Sequence, residues 1–241
     1  MTPGLRIEDV RFAYGAKTAL DGVSFTVEQG AFCALLGPNG AGKSTLFSLL
    51  TGLMRAPHGR LEAAGHDLGR APRRALACIG AVFQQPTLDL DLSVLRNLTY
   101  FAALHGIPRR EAEGRARTAL ARLSMEERAH ERARDLNGGH RRRAEIARAL
   151  MHDPAVLLLD EPTVGLDAQA RAALTAHVHD LARDAGLTVL WATHLVDEVR
   201  PADQVVILHR GRVVADGAAS VIAGPRPLTD VFLSMTSRRA A

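Results

Sequence analysis

Gly37, Pro38, Asn39, Gly40, Ala41, Gly42, Lys43, Ser44 and Thr45 form the stretch of this sequence with the most specific chemistry. Four residues separate Gly37 from Gly42, and a lysine and a hydroxyl follow at once. Glycines let successive backbone N–H groups point inward as a nest for an anion. A helix beginning at this turn adds the partial positive charge of its N-terminus. Lys43 supplies a full charge for β and γ phosphates, and the Ser44 hydroxyl is a ligand for Mg²⁺. Such a loop grips a nucleoside triphosphate with magnesium, and Lys43 is expected to face solvent within it.

Two adjacent carboxylates, Asp160 and Glu161, close the apolar run that starts at Val156. The C-terminal ends of parallel strands are where open α/β sheets bind ligands. Beside a phosphate loop, Asp160 is placed for the magnesium shell and Glu161 for polarising an attacking water. His194 ends the next apolar run and can touch the γ-phosphate if the two strands are neighbours. Asn137, Gly138, Gly139 and His140 open a stretch with Ile146, Ala147 and Leu150 on one helical face. The glycines free helix N–H groups for an anion, although the same pair also makes an ordinary turn.

These residues need a sheet to hold them, and the hydrophobic pattern supplies one. Alternation predicts an antiparallel, one-face-exposed pair at Leu5 to Phe12 and Gly22 to Val27. Unbroken apolar runs predict buried strands at Ala31 to Leu36, Cys78 to Phe83, Ala155 to Leu159 and Leu187 to Ala192. Helices are predicted from Ser44 to Leu53, with Leu53 on the buried face, and from Ala168 to Ala185. Between Ser93 and about Met151 the pattern is helical, with breaks around Gly106 to Pro108 and at Asn137 to Gly139. Val205 to Leu208 and Arg212 to Ala215 read as a closing hairpin, followed by a tail from Ala218 to Ala241. The expectation is a mostly parallel sheet with helices on its faces.

Composition sets limits on what such a chain does. Its 241 residues suffice for one domain carrying a subdomain. No apolar run approaches the ~18–20 residues needed to cross a bilayer. Met1 to Val10 lacks the apolar core of a secretory signal, so the cytosolic side is expected. The net charge is +4, and Lys17 and Lys43 are the only lysines. Arginines from Arg109 to Arg134 interleave with Glu111, Glu113, Glu126, Glu127 and Glu131, and few aromatics accompany them. That pattern reads as a solvated surface and not as a nucleic-acid groove. Cys33 and Cys78, each in an apolar run without a CxxC neighbour, are expected to be buried reduced thiols.

With these elements in this order, nearly the whole chain resembles the ATP-binding cassette family, the nucleotide-binding subunits of membrane transporters. Tyr14 in Phe12-Ala-Tyr-Gly matches the aromatic that stacks on adenine, and Gln84 in Val82-Phe-Gln matches the Q-loop. Asn137 to His140 stands where the LSGGQ signature belongs, with Asn137 in place of Ser and His140 in place of Gln. Gly165-Leu166-Asp167 matches the D-loop and His194 the switch histidine.

The resemblance implies a RecA-like P-loop NTPase core of residues 1–92 and 153–217, which includes an N-terminal antiparallel β subdomain. A helical subdomain at 93–152 and a short tail at 218–241 complete the expected division. It further implies an ATPase in which two cassettes, here expected to be copies of this chain, close head to tail on ATP. Gln84 then joins Ser44 and Asp160 at the metal and Glu161, His194 and Lys43 in catalysis. Transmembrane permease subunits dock near Gln84 to Asn97 and select the substrate, so the chain sits at the cytoplasmic side of a bacterial inner membrane. The string Leu136 to Arg143, with Thr163 to Asp167, is similar to exporter-type ATPases associated with PQQ-dependent alcohol oxidation. The alternative is a regulatory or non-transport ATPase with an impaired signature.

Overall fold

The computed structural model describes residues 3–237; Met1, Thr2 and the end of the expected tail, 238–241, lie outside it. Strands β1 (Leu5–Tyr14) and β2 (Lys17–Val27) pair antiparallel and run longer than the alternation predicted. Leu5, Ile7, Val10, Val23, Phe25 and Val27 point inward, and the outward positions are mostly polar. Strand β3 (Phe32–Leu36) is buried along its whole length and delivers the chain into the glycine loop. Helix α1 (Lys43–Leu50) follows, ending three residues earlier than expected because Gly52 turns the chain at φ 71°. Leu53 is therefore exposed, not part of the buried face.

The next segment escaped prediction. Strands β4 (His58–Ala63) and β5 (His66–Asp67) join β1 and β2 in a four-stranded antiparallel sheet of order β2-β1-β4-β5. Helix α2 (Pro72–Ala77) has proline at its start, where a missing N–H costs nothing. Cys78 caps α2 instead of entering the following strand, and it is half-buried, unlike the fully buried Cys33.

Strand β6 (Ile79–Val82) leads to the helical insert, in which α3 (Val94–Leu104), α4 (Arg109–Ala121) and α5 (Gly138–Ala149) pack on one another. The chain then returns through β7 (Val156–Asp160), α6 (Ala168–Ala185) and β8 (Thr188–Thr193). It closes with β9 (Gln204–His209), β10 (Arg212–Ala218), α7 (Ala219–Ala223) and α8 (Leu228–Ser237). The main sheet has the order β10-β9-β3-β8-β7-β6, parallel except for the β9–β10 hairpin.

That sheet separates two cores, as the two-residue period of a strand requires. Phe32, Ala34, Leu36, Leu157, Leu159 and Trp191 face the helices of the insert and α6. Cys33, Leu35, Val156, Leu158 and Leu190 face α1 and the antiparallel sheet. Buried on both faces, β3, β7 and β8 are held rigidly in line, so the loops at their C-terminal ends share one edge.

Candidate active site at the C-terminal edge of the main sheet

The glycine loop joins β3 to α1 in a conformation that side chains would obstruct. A Cβ on Gly42, at φ 114°, would lie 2.7 Å from the Ala19 carbonyl oxygen, and one on Gly37 would lie 2.6 Å from that of Leu208. Gly42 also occupies the cap position of α1 and carries no side chain to satisfy the helix N–H groups. Those donors are left for a ligand. An open cleft of about 430 Å³ lies over them, lined by Asn39 to Thr45, Tyr14, Lys17, Thr18, Ala19, Gln84 and Glu161. Tyr14 is half exposed at its rim, with its ring edge-on to Phe12 at 5.0 Å.

Lys43 does not face solvent as expected; it is 5% exposed. Its Nζ donates to the Gly37 carbonyl at 2.6 Å and lies 3.3 Å from Glu161 Oε1. Loop curvature explains the difference, because a lysine that follows a nest must fold back beneath its carbonyls. Strand β8 lies beside β7, and His194 Nδ1 is 3.4 Å from the same Glu161 oxygen. One carboxylate oxygen is therefore shared by two potential cations at the mouth of the cleft. Glu161 holds this position with a left-handed backbone, φ 46°, and its N–H donates to Ala192 across the strands.

Burial pushes the Asp160 carboxyl above its ordinary value, and the nearby charge of Glu161 adds to this, while a hydrogen bond from Ser44 and the charge of Lys43 oppose it. Asp160 Oδ1 is buried without a hydrogen-bond partner. Among the described residues no cluster of three metal-ligating side chains occurs. One hydroxyl and one carboxylate with an orphaned oxygen fit a cation that keeps several waters and takes the rest of its ligands from phosphates.

Asn137, Gly138, Gly139, His140 and Asp167 do not line this cleft. Asn137 caps α5, its side-chain oxygen accepting from the His140 N–H at 2.8 Å. Asp167 caps α6 in the same way through Ala170 at 2.8 Å. The two helix starts touch, since a Cβ on Gly138 would meet Leu166 at 3.3 Å and one on Gly139 would meet Ala170 at 3.1 Å. Capping uses the amide oxygen of Asn137 and leaves its two N–H donors available. Burial, then Arg128 and Arg143, hold the His140 imidazole below its ordinary value.

Two buried networks behind the site were missed. Glu198 accepts from the Thr163 hydroxyl and from the Trp191 indole at 2.9 Å, tying the turn after Glu161 to the loop after His194. Arg142 is 6% exposed and donates to the backbone of Phe83, Gln84 and Pro162. A lone Arg in a basic run carries no signal of burial; its spacing of three from Glu145 was the available clue.

A six-stranded sheet with a phosphate loop and two acids at its parallel edge defines a P-loop nucleotide hydrolase. The ABC transporter family matches residues 20–164, and the chain belongs to that family as an ATP-binding, ATP-hydrolysing subunit. It is 37% identical over 214 residues to the linearmycin resistance ATP-binding protein of Bacillus subtilis, covering 88% of this chain and 68% of that one. It is 39% identical over 217 residues to the Nod factor export ATP-binding protein I of Ralstonia nicotianae, covering 90% and 67%. CbiO1 of Clostridium perfringens, part of the ABC transporter complex CbiONQ, has a similar structure, with TM-score 0.84, 30% identity and coverage of 92% and 91%. A bacterial ABC transporter cassette solved as a dimer matches with TM-score 0.77 and 26% identity over 89% of this chain and 98% of that one. No helix among the described residues is long and apolar enough to cross a membrane.

Proposed function

We propose that this chain powers export through a separate membrane permease, hydrolysing Mg-ATP between two copies of itself at the cytoplasmic face of the membrane. The observation that carries the catalytic part is the sharing of Glu161 Oε1 by Lys43 and His194 beside the glycine nest. The names of the resistance and export relatives support the direction.

Backbone N–H groups from Gly40 to Thr45 and the Lys43 ammonium hold the phosphates, and Tyr14 stacks on the base. Ser44, Asp160 and Gln84 would hold magnesium, which when bound would neutralise phosphate charge. Arriving phosphate draws Lys43 from Glu161 and leaves that carboxylate free to accept a proton from water. His194, on the next strand, orients the γ-phosphate. Asn137, Gly138, Gly139 and His140 of one copy, with Asp167, complete the site of the other; in their own chain they lie outside the cleft, and capping leaves the Asn137 amide N–H donors unused. Residues 93–152 form the helical unit that faces the permease together with the Gln84 loop. The core comprises 1–92 and 153–217, and 218–241 is a tail.

Purification of the native complex from membranes, followed by ATPase assay of the chain alone and with its permease, tests the reading. Recovery of a permease with two copies of this chain and stimulated hydrolysis is expected. ATP binding without turnover in that complex would favour a regulatory switch.

A further inference from the structure

We propose that Arg142 is a positioning residue that makes the placement of the Asn137-to-His140 helix start depend on what occupies the nucleotide cleft of its own chain. This rests on the reading of that helix start as part of the reacting site.

Arg142 makes four hydrogen bonds, three to backbone carbonyls of the segments that carry Glu161 and Gln84 and one to Glu145 on its own helix. Nε donates to the Pro162 carbonyl at 2.8 Å, one residue after Glu161. Nη1 donates to the Phe83 carbonyl at 2.7 Å and to Glu145 Oε2 at 2.8 Å. Nη2 donates to the Gln84 carbonyl at 2.9 Å. The remaining carboxylate oxygen of Glu145 accepts from the Thr87 N–H at 2.6 Å. Arg148 completes the clasp, donating to the Thr87 carbonyl at 2.8 Å and its hydroxyl at 2.5 Å. Three side chains at intervals of three on α5 thus hold the main chain from Phe83 to Thr87.

That arrangement is costly unless geometry is kept. Arg142 and Glu145 are both almost fully buried, and a buried guanidinium is tolerated only with its donors satisfied. When Gln84, which lines the cleft, moves with its ligand, the fork must follow or lose bonds in a low-dielectric setting. Arg142 lies five residues along α5 from Asn137, about 7.5 Å at 1.5 Å per residue. The intervening helix is hydrogen-bonded and moves as a rod, so the helix start inherits the displacement. Lysine cannot substitute, because its ammonium lacks the planar fork that reaches three carbonyls and a carboxylate together.

The test combines Mg-ATP titration calorimetry with hydrogen exchange of residues 136–143, at a dilution where the chain is monomeric. Wild-type protein should change its exchange in that segment on adding Mg-ATP. Arg142→Lys should bind Mg-ATP within about threefold of wild type yet lose most of that response, and kcat should fall about tenfold with KM nearly kept. If Arg142→Lys does not fold, Glu145→Gln serves: its amide cannot accept from both Arg142 and Thr87, so the same loss is expected. A wild-type helix start that ignores Mg-ATP overturns the proposal. So does a folded variant with the full exchange response, which would leave Arg142 a purely structural role. Because exchange is read on the monomer, failure of the two-copy reading alone would leave the response and its loss in Arg142→Lys in place while kcat stayed at the wild-type value.

Discussion

Replacing Glu161 with Gln separates nucleotide binding from hydrolysis, and the structure assigns a direction to each. Glu161 Oε1 lies 3.3 Å from Lys43 Nζ and 3.4 Å from His194 Nδ1. With an effective dielectric constant of about 20, two unit charges at the first distance attract by roughly 5 kcal/mol before solvent and ligand compensate. Phosphate binding must draw Lys43 out of this pair and bring a second anion close to Glu161. If a quarter of the attraction survives compensation, its removal strengthens binding by about 1.3 kcal/mol, close to tenfold in Kd. The same change deletes a positioned base, which is worth about 10² to 10⁴ in rate. Glu161→Gln should therefore bind Mg-ATP up to about tenfold more tightly, release phosphate at least ~100-fold more slowly and accumulate as an ATP-bound dimer. Calorimetry, single-turnover phosphate release and sedimentation measure the three quantities. Binding weakened tenfold or more alongside hydrolysis would refute the division of labour, and would mean that Glu161 holds Lys43 or the metal in place instead of activating water.

Asn137→Ser should keep most activity, whereas Asn137→Ala should lose a cap worth about 0.5–2 kcal/mol in melting experiments and turn over about ten- to a hundredfold more slowly. Mixed dimers of Asn137→Ala with Lys43→Ala chains concentrate both defects in one site, and recovery of hydrolysis relative to the Asn137→Ala homodimer is expected; no recovery from folded, dimeric protein counts against action in trans. Tyr14→Ala should weaken ATP binding by about tenfold through lost stacking while Tyr14→Phe binds normally, as fluorescence titration would report. His105 and His152 stack at 4.1 Å, and burial holds both imidazoles below the ordinary 6.5, with the neighbouring ring adding to the effect at His152. The unfolded chain then binds more protons just below that value, so stability is present above pH 6.5 and lost as pH falls through the lowered values. Thermal melts should show this slope, and His152→Gln should flatten it; an unchanged slope removes the pair as its source.

Part of this architecture was readable because its signals are local. β3, the glycine loop and α1 are contiguous, so apolar run, turn and helix announce one another. The buried strands ending at Asp160 and Thr193 were equally plain. By contrast, β4 escaped because most of its His58–Ala63 stretch is polar, and only Leu61 and Ala63 are buried. Its pairing is decided by β1, some fifty residues earlier in the chain.

The sequence by itself determined the nucleotide loop, the paired acids and the family, since each depends on residue type and short spacing. Tertiary structure alone decided that Lys43 is buried, that Glu161 lies between it and His194, and that Arg142 clasps Phe83 and Gln84 from 59 and 58 residues away. The physical reason is that burial and ion pairing are properties of converging segments. A lysine or arginine reads as solvated in sequence until the fold removes its water and supplies its acceptors.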